Sequence, residues 1–475
     1  MENKSFLEQL QAMKKPRPSK PKPEPIHTAD ALPVNAVADQ FTDMRVAAIF
    51  AETFHNRLRY CPDLGKWLVY DSRRWVTDSP GGPYPFVREL ITMLYGRVMQ
   101  SGDRAEAMKA VGKLEAHPRQ ETIIRAAQTL PSLIVSADDL DQDAMLLNCL
   151  GETINLTTGD ARPSDPGDLI TRLVQVEYDR AATCKTFEKF LFEIMGGKQE
   201  LVDYLQRFIG YCLTGKTHEQ VFLFMWGVGC NGKSTLLTVI ESILGDLSFT
   251  AGADLLMTRE KGAATNDMAA LRGARLVKIS EFNESVRLDA ARLKTLTGGD
   301  RITCRFLYQE PFEYTPNYKI IMAGNSKPRI SETDHGTWRR VHMMPFRVIV
   351  PEDAKDPLLP EKLNTELPGI LAWAVRGCLE WQRVGLQPPE EVTAAVAEYR
   401  AGEDTFHSWL AECCDQGPEL SDTSRNLMDS FTAHTGNRFM TATKFGKLLS
   451  ECGFRKERKF AGIAWAGLSL ISDYE

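Results

Sequence analysis

Residues 221–240, VFLFMWGVGCNGKSTLLTVI, constrain the fold more than any other stretch, because they place three mutually dependent elements in order. Val221–Trp226 is an apolar run rich in β-formers, the pattern of a buried strand. Gly227-Val-Gly-Cys-Asn-Gly232-Lys233-Ser234 then matches G-x-x-x-x-G-K-[ST] in full. Leu236, Leu237, Ile240 and Ile243/Leu244 follow at helical spacing. In a strand–loop–helix unit of this kind the glycines let backbone N–H groups turn inward around a polyphosphate, and the helix points its positive end at the anion. Gly227, Gly229, Asn231, Gly232 and Thr235 are the expected cradle. Lys233 is placed to reach the β/γ-phosphates and Ser234 to offer an oxygen to Mg²⁺. The chain is expected to bind and hydrolyse ATP.

A second match tests that reading. Gly210-Tyr-Cys-Leu-Thr-Gly215-Lys216-Thr217 satisfies the same pattern. It follows Leu201, Tyr204, Leu205, Phe208 and Ile209, spaced as one face of a helix, so no strand delivers it. No helical apolar pattern starts at Lys216 either. Gly215-Lys216 reads instead as a helix C-terminus, with Gly in the left-handed position and Lys facing the last carbonyls.

The bulk properties narrow the class. With 475 residues the chain has room for two to four domains. No apolar run approaches the roughly 20 residues that span a bilayer, and no signal peptide is visible, so a cytoplasmic protein of a bacterial host, with no membrane partner, is expected. The ten cysteines are scattered, Cys413-Cys414 being the only close pair, and none has zinc-site spacing. Net charge is −6, so any nucleic-acid contact must rest on local basic patches.

Along the chain, residues 1–40 include Lys14-Lys-Pro-Arg-Pro-Ser-Lys-Pro-Lys-Pro, a basic proline-rich segment that cannot form a core. It reads as a disordered tail, with an electrostatic contact to DNA or a partner as the alternative. Residues 41–183 form an N-terminal module: a helix from about Phe41, a hairpin over Tyr60–Val76 with Trp67 and Trp75 in its core, helices over 85–130, strands with a Thr158-Gly159 turn over 146–160, and a loose connector over 165–183. A helical collar or oligomerisation segment follows at 184–215, then the nucleotide-binding domain at 216–400 and a small domain at 401–475.

The stretch downstream of the phosphate loop supplies the rest of an ATP site. Ala274-Arg-Leu-Val-Lys-Ile-Ser-Glu281 is a second strand ending in an acid, where a Mg²⁺-coordinating, water-orienting carboxylate is needed, with Glu284 close by. Tyr318-Lys-Ile-Ile-Met-Ala-Gly-Asn325 is a third buried strand, closed by an amide able to sense the γ-phosphate. Ile302–Tyr314 alternates as a β-hairpin. Gly336-Thr-Trp-Arg339-Arg340-Val sets two guanidiniums before a further strand, either an ordinary ion-paired surface or an arginine finger for a neighbouring subunit.

In this order and spacing the elements resemble the superfamily 3 helicases of the AAA+ class, most of all the C-terminal region of the phage/plasmid primase–helicase family, to which poxvirus primase-helicases are similar. The resemblance runs from about residue 45 to the end, through Trp67, Trp75, Leu205-Gln-Arg-Phe-Ile-Gly-Tyr211, the loop at 227–234, Thr297-Gly-Gly-Asp300, Asn325 with Lys327-Pro328, and Trp338-Arg-Arg-Val-His-Met-Met-Pro-Phe346. It implies an α/β fold: an AAA+ P-loop NTPase core with an N-terminal α+β helicase-associated module and a C-terminal winged-helix domain. By the same resemblance Lys233 and Ser234 are Walker A, Glu281 is Walker B, Asn325 is motif C and Arg339/Arg340 contain the finger. Ser234 and Glu281 would hold the metal.

Two departures stand out. The hairpin tip is Tyr308-Gln309-Glu310 rather than basic or His-containing, which moves any DNA-tracking role to Lys294, Arg301 or Arg305. Only 40 residues precede the N-terminal module, with no priming domain among them, so the expectation is a helicase without its own primase.

At the C-terminus, Phe406, Trp409 and Leu410, then Leu427, Met428 and Phe431, then Thr443–Phe454, give three helices. A basic turn, Arg455-Lys-Glu-Arg458-Lys459, precedes a strand-like Ile463–Ile471. That is winged-helix order, with Lys444, Lys447, Arg455, Lys456 and Arg458 as phosphate contacts. The expected whole is a homo-hexameric, ATP-driven replicative helicase of a phage or mobile element acting on single- and double-stranded DNA, with a separate primase, polymerase or origin-binding protein as partner. The rival readings are an origin-binding initiator or loader without processive unwinding, and a small-molecule or polynucleotide kinase.

Overall fold

The computed structural model describes residues 41–77, 81–100, 104–257, 266–280, 287–307, 310–330, 335–403, 405–436, 440–459 and 462–471. They form two compact units, residues 41–70 with 76–137, and residues 71–75 with 138 onward. The sequence reading ends the N-terminal module at 183; strand and connector residues Leu147, Ile154, Val174 and Val176 instead share a core with the nucleotide-binding elements.

In the first unit α1 (Asp43–Phe54), the hairpin β1 (Leu58–Cys61) and β2 (Lys66–Tyr70), and helices α2 (Tyr84–Met99), α3 (Arg104–Gly112) and α4 (His117–Ala127) surround one core. β3 (Trp75–Thr77) joins the hairpin as a third strand. Phe50, Phe54 and Phe86 meet edge to face in the core, with centroids 5.2 and 5.3 Å apart, the offset geometry that ring quadrupoles favour. Trp67 is buried there. Trp75, by contrast, belongs to the second unit, within which it donates its indole N–H to the Pro166 carbonyl.

The second unit opens with a three-stranded antiparallel sheet, β4 (Leu146–Asn148), β5 (Glu152–Asn155) and β6 (Asp160–Pro163), whose β5–β6 turn contains Gly159 at φ +77°. Then come α5 (Lys185–Ile194), α6 (Gln199–Leu213), β7 (Phe222–Trp226), α7 (Lys233–Leu244), β8 (Ser248–Ala251), α8 (Asn266–Ala270) and β9 (Leu276–Ser280). Next are α9 (Ala290–Gly298), the hairpin β10 (Ile302–Cys304) and β11 (Phe312–Tyr314), β12 (Lys319–Gly324), α10 (His335–Trp338) and β13 (Val341–Pro345). Helices α11 (Leu359–Thr365), α12 (Leu367–Val384) and α13 (Glu390–Glu403) complete this part.

Five strands form one parallel sheet in the order β13-β7-β12-β9-β8. A parallel sheet is covered on both faces, which is why its strands read as continuous apolar runs. Leu223, Met225 and Ile321 point into the core shared with α6, α7 and α12, while Phe222, Phe224, Ile320 and Met322 point into the opposite one. All five strands end at the same edge, where ligands of open α/β sheets bind.

Gly210-x-x-x-x-Gly-Lys-Thr turns out to be a packing device. Gly210 lies inside α6, and a Cβ there would run into the Cys378 backbone nitrogen on α12; at Gly377 one would run into the Gln206 carbonyl oxygen. The two glycines let the helix backbones touch. α6, part of the segment that the sequence reading assigns to a collar, buries Leu201, Leu205, Phe208 and Ile209 within its own chain, while Asp203, Gln206 and Arg207 are half-buried. The expected left-handed cap at Gly215 is corrected. The helix ends on extended Thr214 at φ −87°, and its last carbonyls are met not by Lys216 but by two buried cations brought in by the sheet. Arg275 donates to the Leu213 carbonyl and Lys319 to the Thr214 carbonyl. Such cations suit the negative end of a helix, and burial lowers Lys319 to about 7 and Arg275 to about 10.

The C-terminal elements have their own core of Phe406, Trp409, Phe431, Phe445, Leu449, Trp465 and Leu468. Their order is α14 (Thr405–Cys413), β14 (Cys414–Thr423), α15 (Ser424–Thr435), α16 (Ala442–Glu451), β15 (Arg455–Lys459) and β16 (Gly462–Leu470), with sheet order β14-β16-β15. Two expectations change here. A strand, β14, separates the first two helices, its mostly polar sequence having hidden it. Arg455–Lys459 is a strand paired to β16 rather than a turn.

Candidate nucleotide-binding site

β7 delivers the chain to the phosphate-loop pattern at the strand-end edge of the sheet, with Trp226 level with Gly324 of β12 and Pro345 of β13. Two of the glycines are sterically required. At Gly227 a Cβ would collide with the Phe346 carbonyl oxygen; at Gly232, φ +81°, it would lie 2.8 Å from Ile194 Cγ2. Gly229 has nothing within 4 Å of that position, so its backbone faces open space. Gly232 is the N-cap of α7, whose first-turn N–H groups point into the loop.

Lys233 is buried at the mouth of this loop. Its ammonium donates to the Gly227 carbonyl at 2.5 Å, to Asn231 Oδ1 at 3.1 Å and to Asn325 Oδ1 at 3.2 Å. Burial lowers its pKa. Among the described residues its hydrogen bonds all go to neutral oxygens. Asn231 is itself fixed, its amide donating to the Val228 carbonyl and, at 3.4 Å, to that of Phe346. Ser234 is exposed and Thr235 half-buried on the first turn of α7. Lys327, two residues past Asn325, lies 4.5 Å over the Trp226 ring, which holds the loop after β12 against the strand that carries the glycines.

β9 ends at Ser280, paired with Ala323 and so one step short of this edge. Glu281 and Glu284 lie outside the described residues. So do Tyr308 and Gln309 of the hairpin tip.

Arg339 and Arg340 stand at the other end of the sheet. They precede Val341, which pairs with Phe222 at the start of β7. At about 3.3 Å per residue the strand puts roughly 13 Å between them and the loop. The two differ sharply. Arg340 is buried, donating from Nε to Thr297 Oγ1 at 3.1 Å, from Nη1 to the Gly336 carbonyl at 2.6 Å and from Nη2 to Gln220 Oε1 at 3.5 Å. Arg339 is exposed and donates to the same Gln220 Oε1 at 2.6 Å. Gln220 was missed in the sequence reading: a lone polar residue ahead of a strand carries no pattern, and its φ of +57° is not written in its residue type.

The hairpin pairs as expected, Ile302 opposite Tyr314. Arg301 is exposed and ion-paired with Glu313 at 3.7 Å; Arg305 is exposed and Lys294 half-buried on α9. In the C-terminal elements Lys447, Arg455, Lys456 and Arg458 are exposed, and the Lys444 side chain lies outside the described part. None of these is at the phosphate loop. No group of three or more His, Cys, Asp or Glu side chains among the described residues could hold a metal ion.

The open parallel sheet, with Lys233 held among glycines at its strand-end edge, fits an α/β NTPase-like core. Comparison with known proteins agrees in kind. Residues 47–196 match the family described as D5 N terminal like, and residues 225–340 match a family of unknown function. A helicase-named protein of Acanthamoeba polyphaga mimivirus is 28% identical over 389 residues, covering 73% of this chain and 40% of that protein. A helicase-named protein of Frog virus 3 is 31% identical over 240 residues, covering 46% and 24%. A primase-named protein of African swine fever virus is 26% identical over 250 residues, covering 46% and 24%. The chain thus spans less than half the length of these relatives. Among solved structures, the apo structure of the NrS-1 C-terminal region covers 90% of this chain and 98% of its own at 10% identity and a TM-score of 0.49. The relatives that the chain resembles over these stretches are thus named as helicases and a primase.

Proposed function

We propose that this chain is an ATP-dependent replicative DNA helicase of superfamily 3, in the AAA+ class, working as a homo-hexameric ring for a phage or other mobile element. The observation that carries the reading is the division of the site. Lys233 and Asn325 converge at one edge of the sheet, whereas the exposed Arg339 stands at the opposite edge. A guanidinium there serves a triphosphate only if it belongs to a neighbouring copy.

Support for ATP comes from the tight loop, where Cβ atoms at Gly227 and Gly232 would collide with Phe346 and Ile194, and from a buried ammonium hydrogen-bonded to neutral oxygens. In this reading Lys233 holds the β/γ-phosphates, Asn325 orients the γ-phosphate or the attacking water, and Glu281 positions that water. Ser234 and Glu281 would hold Mg²⁺, which supplies charge neutralisation between the phosphates. Arg339 of the adjacent copy stabilises charge developing in the transition state. The helix–strand–helix–helix–strand–strand order of the C-terminal elements supports a winged helix, with the exposed Lys447 on α16 and Arg455, Lys456 and Arg458 on β15 assigned to DNA phosphates. Lys294, Arg301 and Arg305 are assigned to the strand in the ring's channel. Single- and double-stranded DNA are the substrates, and a separate primase, polymerase or origin-binding protein is the expected partner. No helix among the described residues is long and apolar enough to cross a membrane.

The test is strand displacement. The purified chain, given ATP, Mg²⁺ and a forked duplex, should form hexamers, release phosphate faster with DNA and separate the strands. Phosphate release on DNA without strand separation would replace this reading by an initiator or loader, and a phosphorylated acceptor would replace it by a kinase. Truncation after Arg400 should keep hydrolysis but weaken duplex binding and flatten its salt dependence.

A further inference from the structure

One amide sits where three parts of the proposed machine meet. Gln220 occupies the residue before Val221, at φ +57°, a left-handed backbone that side chains other than Gly and Asn rarely adopt. Its Oε1 accepts from Arg339 Nη2 at 2.6 Å and from Arg340 Nη2 at 3.5 Å, and its Nε2 donates to the Gly298 carbonyl at 3.0 Å. A guanidinium can only donate and a carbonyl only accept, so the chemistry fixes which way the amide faces. Gly298 ends α9, Gly299 turns the chain at φ +80°, and β10 of the hairpin begins at Ile302. On the other side β7 runs without a break from Phe222 into the phosphate loop, and the Phe222 N–H is held by the Arg340 carbonyl at 2.8 Å.

We propose that Gln220 is a positioning residue that parks the trans-acting Arg339 and links it to the Gly298 corner beneath the β10–β11 hairpin, so that finger engagement and hairpin position change together. The proposal rests on the ring-helicase reading above. Among the described residues, Arg339's hydrogen bond is to Gln220. When Arg339 swings to a neighbour's phosphate, Oε1 loses its shortest donor, and the amide is freed to turn away from Gly298. The linkage must run both ways: DNA that displaces the hairpin pulls on Nε2 and loosens the parked arginine. Stimulation of hydrolysis by DNA is then a property of this amide. Arg340, buried and bonded to Thr297 and Gly336, is the fixed post on which it turns.

Three variants of the full chain test this. Gln220→Met removes donor and acceptor at similar size. Gln220→Gly removes the side chain while relieving the left-handed backbone, so a defect shared by both is not misfolding. Gln220→Glu keeps the acceptor, strengthens it with charge and loses the donor. Steady-state hydrolysis is measured with and without single-stranded DNA, together with KM for ATP. In Met and Gly variants the ratio of the two rates should fall to about one while KM stays within about twofold, since no phosphate contact is touched. The Glu variant should also lose stimulation, and its DNA-free kcat should lie about tenfold below that of the Met variant, because a carboxylate grips the finger more tightly. Wild-type stimulation in both Met and Gly variants overturns the proposal, as does equal kcat in Glu and Met. Mixtures of wild type with Arg339→Ala are run alongside. A curved loss of activity with a normal Gln220→Met sinks only the coupling; a linear one sinks the ring reading and the coupling with it.

Discussion

Lys233 Nζ and Asn325 Oδ1 stand 3.2 Å apart, joining the loop after β7 to the end of the neighbouring strand β12. The two residues converge because both strands are parallel and end in register, Gly324 beside Trp226. Substituting Asn325 by Ala should therefore leave ATP binding within a few-fold while lowering kcat by about 100–1000-fold, the range for one polar group acting on the transition state. Lys233→Ala should abolish hydrolysis. Lys216→Ala, in the second pattern match, should hydrolyse ATP as wild type does; a larger defect there than at Lys233 would reverse the choice of loop.

The two arginines should separate by what they disturb. Arg340→Ala strips a buried cation from Thr297, Gly336 and Gln220, and should lower stability by about 2–4 kcal/mol in denaturant titration. Arg339→Ala removes an exposed side chain and should change stability by less than about 0.5 kcal/mol. Mixed with wild type, however, it should depress hydrolysis faster than the wild-type fraction falls. Equal stability losses for the pair would refute the division of labour.

Gly210→Ala should weaken the fold although it adds one methyl group. The new Cβ meets the Cys378 backbone, which cannot move without parting α6 from α12. Overpacking of this kind costs about 1–3 kcal/mol or more, so the urea midpoint should fall clearly. Gly229→Ala, with nothing within 4 Å of the added atom, should leave the midpoint in place. A normal Gly210→Ala midpoint would mean that the helices can separate at little cost.

His342 gives the stability an acid limb. Burial lowers its pKa from 6.5 to about 4, and the Tyr204 hydroxyl lies 2.6 Å from its Nδ1. The folded state thus prefers neutral imidazole, and between those two pKa values the unfolded chain binds the extra proton. Stability is complete above pH 6.5 and is lost as pH falls through that window towards 4, by roughly 2–3 kcal/mol for this one group. Denaturant titrations at pH 7.5 and 4.5 should show that much less acid sensitivity in His342→Gln than in wild type. Parallel pH profiles for the two proteins would remove His342 as the cause.

What the amino-acid order determined was local. The apolar run of β7, the glycine pattern at 227–232 and the helical spacing of α7 lie within about twenty consecutive residues, and each states its geometry through its own side chains. The hairpin at Ile302–Tyr314 and the strand ending at Gly324 were legible for the same reason. Periodicity also separated the two pattern matches, since one follows a strand and the other lies in a helix.

What only the tertiary structure decided was which polar atoms meet. Nothing near Arg339 and Arg340 in the sequence distinguishes them; they diverge because Thr297, 43 residues before Arg340, receives one of them in the interior while the other stays exposed. Lys319 and Arg275 read as strand residues, yet they close the end of a helix more than sixty residues away. Gln220 joins Arg339, 119 residues downstream, to a carbonyl 78 residues downstream. A side chain's burial period is written in its neighbours along the chain. Its hydrogen-bond partner is chosen by the strand order, which brings together atoms that no local spacing relates.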